Sequence, residues 1–277
     1  MNESNSAQID YWNGRAGEKW AALQRNLDEM LAPVTAALTA RAGALAGQRV
    51  LDIGCGTGET CALWLERGAA VTGVDVSAPM LAVAAKRTQG KVALVEADAS
   101  SWIGDAPFDL AVSRFGVMFF AAPDAAFARI AENLRPGGRL LFACWRARAE
   151  NQWASAPAAA ISDLLPEPPA ADPLAPGPFA LADEERLRGI LERAGFVELA
   201  LRPLDFRACV ASEGGVEAAV PFVMQTGPVG SALGEAPDEV RAAAALRLKA
   251  ALAPHENNGR VSLGAAAWLV EARRARA

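Results

Sequence analysis

The chain has 277 residues, a net charge of −5, four cysteines, one histidine and one tyrosine. An acidic balance argues against the basic face that nucleic acid demands; no run of about 20 uninterrupted apolar residues marks a membrane span; and scattered cysteines with no Cys-x-x-Cys pair argue against a zinc site, any other metal or a disulfide framework. The polar N-terminus has no signal-peptide pattern, so the expectation is a reduced, cytoplasmic protein, long enough for one α/β domain with additions.

Residues 8–46 read as two helices. Tyr11, Trp12 and Trp20 form an aromatic leader, followed by Leu23, Leu27, Met30 and Leu31 at helical spacing. Pro33 suits the first turn of a second helix over residues 34–45. The tryptophans either pin the leader to the core or belong to a lid, and Tyr11 is a candidate for facing a ligand.

The next stretch organises the chain. Val50, Leu51 and Ile53 make a short buried strand around Asp52, and Gly54, Gly56 and Gly58 alternate through the turn into a helix that begins at Glu59. Glycine tolerates positive φ and lets backbone pass close to a ligand. The helix N-terminus then aims free N–H groups at whatever lies over the turn. A second strand, residues 70–74, ends at Asp75. In a doubly wound sheet that carboxylate stands beside the glycine turn, where it can accept hydrogen bonds from a ribose. The dinucleotide fingerprint needs a third glycine or alanine where Glu59 stands, and a glutamate there repels a pyrophosphate. A nicotinamide-dependent oxidoreductase is therefore the disfavoured alternative. Asp52 adds an acid that could attract an amino group. A ligand with a ribose, an amino acid moiety and no phosphate is S-adenosylmethionine.

This stretch resembles motif I of the class I S-adenosylmethionine-dependent methyltransferases, and Asp75 resembles the acid of their next motif. Residues 95–99 (Val-Glu-Ala-Asp-Ala), 108–113 (Phe-Asp-Leu-Ala-Val-Ser) and 134–142 (Leu-Arg-Pro-Gly-Gly-Arg-Leu-Leu-Phe) resemble their strands 3, 4 and 5 in order. The resemblance implies a Rossmann-like α/β fold: a doubly wound seven-stranded sheet whose last strand inserts antiparallel between strands 5 and 6. It also implies S-adenosylmethionine as cofactor. The matching cofactor residues are Asp52, Gly54, Cys55, Gly56 and Gly58 toward the methionine end, Asp75 and Val76 at the ribose, Met80, Asp98 and Ala99 at the adenine, and Ser113 and Arg114 at the tip of strand 4. The flavour is that of bacterial small-molecule enzymes such as the ubiquinone and menaquinone C-methyltransferases. A protein that binds S-adenosylmethionine without transferring its methyl group, or non-methylating chemistry of this fold such as cyclisation, stays open.

Beyond the motifs, strands are expected over residues 49–53, 70–74, 91–96, 110–113, 139–143, 197–209 and 266–270, with helices over 59–67, 79–88, 123–133, 151–165 and 184–194. Phe115 and Met118 follow strand 4 and, with Trp12, Trp20 and Trp145, are candidates for an apolar acceptor wall; Phe119 and Phe120 read as ordinary core. Residues 166–178 are proline-rich and read as a loop. Residues 212–258 form an unexpected insertion, with helices over 215–226 and 237–252, either a second acceptor lid or a homodimer surface. The sequence identifies no catalytic base; His255, at the end of the insertion, is a candidate for activating the acceptor, and Tyr11 is the other candidate for a catalytic role. Arg273, Arg274 and Arg276 read as a solvated tail. The chain thus divides into a helical lid (1–46), a cofactor-binding core (47–150), its completion (151–211), the insertion (212–258) and a last strand with tail (259–277). The small-molecule acceptor is expected to be apolar or aromatic; no nucleic-acid or membrane partner is expected.

Overall fold

The structure is a computed structural model that describes residues 5–166, 172 and 174–276. Three helices open the chain: α1 (Ser6–Asn13), α2 (Arg15–Ala22) and α3 (Gln24–Ala42). Two helices were expected, with Pro33 opening the second; Pro33 instead lies inside α3. A proline inside a helix forfeits a backbone hydrogen bond and costs about 3 kcal/mol. The helix survives because Leu27, Met30, Leu31, Val34 and Leu38 keep one buried face through the proline.

The core then alternates: β1 (Arg49–Ile53), α4 (Glu59–Glu66), β2 (Ala70–Asp75), α5 (Ala78–Arg87), β3 (Ala93–Glu96), β4 (Phe108–Arg114), α6 (Pro123–Asn133) and β5 (Leu134–Trp145). After it come α7 (Gln152–Ala160), α8 (Glu184–Arg193), β6 (Phe196–Ala211), α9 (Gly215–Val223), α10 (Gly227–Ala232), α11 (Asp238–Leu252), β7 (Glu256–Asn257) and β8 (Arg260–Arg274). The sheet order is β3-β2-β1-β4-β5-β8-β6, with β8 antiparallel to both neighbours. This is the expected order, with one addition: β7 pairs with the start of β8 across Asn258 and Gly259, both at positive φ. Asn-Gly at two left-handed positions favours a tight hairpin turn.

Topology places the ligand cleft. From β1 the sheet grows one way through β2 and β3, and the other way through β4 and β5. Parallel crossovers are right-handed, so α4 and α5 cover one face and α6 the other. The carboxyl ends of β1 and β4 part where the direction reverses, and a crevice opens there. Large side chains seal the sheet beneath it; Trp64, Phe127 and Phe142 are fully buried.

One further expectation is corrected. Pro203 lies within β6, which runs through it because β6 is the sheet edge and a missing ladder donor is tolerated there. Arg273 and Arg274 are not a loose tail: they lie in β8, where Arg273 Nη1 donates to the Gly137 carbonyl at 3.1 Å and Arg274 donates to the Leu134 carbonyl. The proline-rich loop falls partly outside the described residues. Its end is anchored, with Gly177 N–H donating to the Met118 carbonyl at 3.1 Å. No helix among the described residues is long and apolar enough to cross a membrane. The four cysteines are free and buried, and no cluster of three or more His, Cys, Asp or Glu among the described residues could hold a metal.

Candidate active site

A cavity of about 200 Å³ opens at the reversal point. Its floor is the turn after β1. Gly54, Gly56 and Gly58 have φ of +64°, +53° and +76°. A side chain on Gly54 would meet Gly116 Cα at 2.8 Å, because the loops after β1 and β4 touch there. A Cβ on Gly56 would meet only Met80 Sδ at 3.8 Å, so this backbone faces open space beside Met80. The turn is therefore both tightly backed and open on its cavity side.

Asp75 closes this end. One carboxylate oxygen accepts from Gly56 N–H at 2.8 Å and the other from Ser77 N–H at 2.9 Å. Burial pushes its carboxyl up, and the two N–H donors pull it back down. Each oxygen keeps lone-pair capacity for a further donor, so the acid fits the paired hydroxyls of a ribose. Val76, Met80, Asp98 and Ala99 line the adjoining wall. The Asp98 carboxylate is oriented by Ser100, whose N–H and Oγ donate at 2.8 and 2.7 Å. Gly54, Cys55 and Gly56 also line the cavity.

Not every expected residue reaches it. Asp52 is fully buried outside the cavity lining, among Thr60, Cys61 and Trp64, and desolvation pushes its carboxyl up to about 6. Its Oδ1 has no hydrogen-bond partner. It thus lies behind the turn instead of where it would meet an amino group. Gly58 and Ser113 are outside the lining as well. Gly58 packs on Ala84, and Ser113 Oγ donates to the Ile53 carbonyl at 2.7 Å while accepting from Gly116 N–H, tying the two loops together. Tyr11 is half exposed with its ring edge against Trp12, and neither Tyr11 nor His255 lines the cavity.

Arg114 does line the cavity, but its guanidinium is engaged. It pairs with Glu59 and Asp28 and donates to Thr35 Oγ1 at 2.8 Å, and Arg87 also pairs with Asp28. Burial pushes the Glu59 carboxyl up, against the pull of Arg114. Two cations and two acids thus lock α3 to α4, α5 and the tip of β4.

The other end of the cavity is apolar. The leader supplies Trp12 and Trp20, edge to face at 5.4 Å, and α3 supplies Leu27, Met30 and Leu31. The leader is fastened beside Asp75: Ser77 Oγ donates to the Trp12 carbonyl at 2.7 Å, and Asn13 bridges Val76 and Ala78. Phe115, Met118 and Trp145 line the opposite wall. Phe119 and Phe120, expected in the core, line it too. Phe115 has φ +67°, a conformation that costs an aromatic residue about 1–3 kcal/mol. Its ring stacks on Trp145 at 4.1 Å with 14° between planes. Sequence reasoning missed Trp153, Pro178, Thr226 and Gly227, which complete this wall. Nothing local marks them, because α7, the proline-rich loop and the insertion converge only in three dimensions.

Residues 51–142 match the family described as "Methyltransferase domain". The chain is 34% identical over 122 residues to a malonyl-[acyl-carrier protein] O-methyltransferase of Serratia marcescens, covering 44% of this chain and 45% of that protein. It is 37% identical over 102 residues to a demethylmenaquinone methyltransferase of Thermus thermophilus, covering 35% and 46%. The chain thus spans a little under half the length of these curated relatives. Among solved structures, a Haemonchus contortus phosphoethanolamine N-methyltransferase in complex with S-adenosylhomocysteine superposes with a TM-score of 0.53 at 20% identity, over 88% of this chain and 52% of that one, a likeness of fold. The motif order, the sheet order and the matched domain converge: residues 51–142 carry a methyltransferase domain, and the chain is similar over that stretch to S-adenosylmethionine-dependent methyltransferases of class I.

Proposed function

We propose that the protein transfers a methyl group from S-adenosylmethionine to a small, apolar or aromatic acceptor. The observation that carries this reading is the union of two unlike ends in one cavity: a glycine turn with Asp75 at one side, and a wall of tryptophan and phenylalanine at the other. On this reading the backbone of residues 54–56 would take the methionine portion, Asp75 the ribose hydroxyls, and Val76, Met80, Asp98 and Ala99 the adenine. The bound sulfonium supplies an activated methyl group.

The chain's own contribution is alignment and exclusion of water. In-line displacement needs the reacting atoms within about 3–3.5 Å and on one axis. The strained Phe115, next to the glycine turn and stacked on Trp145, would hold the acceptor at the boundary between the two ends. Trp12 and Trp20 would cover it, which supports reading α1–α3 as a lid. Thr226 and Gly227 reach the cavity, which supports reading the insertion as an acceptor wall in preference to a dimer surface. The names of relatives point to dissimilar acceptors, a carrier-bound malonyl group, demethylmenaquinone and trans-aconitate. The acceptor therefore has to be found by assay. S-adenosylhomocysteine formation across phenols, quinols, lipids and carboxylic acids is the test: turnover restricted to aromatic or apolar members supports the proposal, and turnover confined to small polar acids overturns its acceptor half.

A further inference from the structure

The far wall of the cavity is built with more precision than an unspecific greasy surface needs. Trp153 is part of it. Its indole Nε1 donates to Asn151 Oδ1 at 3.0 Å. Asn151 is completely buried, and the same oxygen accepts from Ala266 N–H at 2.9 Å, while Nδ2 donates to the carbonyls of Arg146, Ala147 and Ala266. A buried amide with all its capacity used is held in one orientation. It therefore fixes the indole that hangs from it.

The other side of the ring is fixed by an absence of side chain. A Cβ at Gly227 would lie 2.8 Å from the Trp153 six-membered ring, and Gly227 has φ +56°. The insertion backbone thus rests directly on the ring. Trp153 in turn meets Trp145 at 4.8 Å, and Trp145 stacks on Phe115 at 4.1 Å. Asn151 and Gly227 lie far apart in sequence yet converge on one indole, which leaves a rigid aromatic surface beside the strained Phe115.

We propose that Trp153 is the specificity-determining residue of the acceptor end, held by Asn151 as a positioning residue and by Gly227. Its fixed plane selects acceptors with a flat, uncharged, conjugated ring over saturated ones of equal size. Aromatic faces favour offset-stacked or edge-to-face partners. An indole that cannot rotate keeps that preference instead of adapting to a puckered ring. The proposal rests on the reading that this cavity takes S-adenosylmethionine and an acceptor.

The test uses 2-naphthol and decahydro-2-naphthol, which share a skeleton and differ in planarity. Each is titrated calorimetrically into the full chain saturated with S-adenosylhomocysteine. The wild type is expected to bind 2-naphthol at least tenfold more tightly. Trp153→Leu is expected to bring the ratio near one, and Trp153→Phe to keep most of it. Gly227→Ala, whose Cβ would clash with the ring and displace it, is expected to lower 2-naphthol affinity. Asn151→Asp, which keeps the accepting oxygen but loses the amide donors, is expected to reduce the ratio. A structural defect alone would weaken both probes together and would also weaken S-adenosylhomocysteine, whose affinity is expected within twofold of wild type in the Trp153 variants. Equal affinity of the two probes in the wild type, or an unchanged ratio in Trp153→Leu, overturns the proposal. Failure of the wild type to bind S-adenosylhomocysteine overturns the underlying reading instead.

Discussion

Asp52 offers the sharpest physical test of how the glycine turn is supported. Its carboxyl is fully buried, its Oδ1 is unpartnered, and desolvation raises it from an ordinary 3.8 to about 6. Raised this far, the folded state holds the proton more tightly than the unfolded chain does. The stabilisation is complete below pH 3.8 and is lost as pH climbs through about 6. The difference amounts to about 3 kcal/mol, at 1.36 kcal/mol for each tenfold change in proton affinity. Asp52→Asn cannot titrate. The stability difference between wild type and Asp52→Asn, measured by urea unfolding at fixed pH, is expected to shift toward the variant by about 2.5 kcal/mol from pH 4 to pH 8. Any constant offset from altered hydrogen bonds to Cys61 or Thr60 cancels in that comparison, as do all other titrating groups. A difference that stays flat over this range would show that the carboxylate has water or a cation beside it, and that the buried placement is mistaken.

Other perturbations follow from the same contacts. Gly58→Ala puts a Cβ 2.8 Å from that of Ala84 at φ +76°, so left-handed strain and overpacking together are expected to cost about 2–5 kcal/mol in urea unfolding; a loss under about 0.5 kcal/mol would mean the turn can relax. Arg114→Met strands the partly buried Glu59 and leaves Asp28 to Arg87 alone, and is expected to destabilise by about 3 kcal/mol. Adding Glu59→Gln should recover part of that loss, and strict additivity of the two substitutions would argue against the network. Asn258→Val forces a β-branched residue to φ +51° in the β7–β8 hairpin, with an expected loss of about 1–2 kcal/mol on thermal or urea unfolding; no change would mean the hairpin is not held in that turn.

Much of this was legible in the chain because its signals are local. Alternation of short apolar runs with helical periods gave the order of the core. The glycine turn and Asp75 are separated by one βαβ unit, so their proximity follows from topology alone. What stayed hidden depends on packing. Pro33 was read as a helix start, because the sequence does not show that five apolar residues hold the helix through it. Asp52 looked accessible because the strand period does not say which side chains a following helix will cover. The apolar wall of the cavity gathers α3, the segment after β4, α7 and the insertion, and no spacing rule joins Trp153 to Gly227. The insertion itself was visible as an excess of residues, but its Thr226–Gly227 contact with the cavity was not.

The most direct test of the central claim is calorimetric titration of the purified protein with S-adenosylmethionine and, separately, with NAD, alongside Asp75→Ala. S-adenosylmethionine is expected to bind at roughly micromolar affinity and NAD not measurably, with at least a tenfold loss of S-adenosylmethionine affinity in the variant, about 1.4 kcal/mol. Binding of NAD in preference to S-adenosylmethionine, or an affinity that Asp75→Ala leaves unchanged, would contradict that claim.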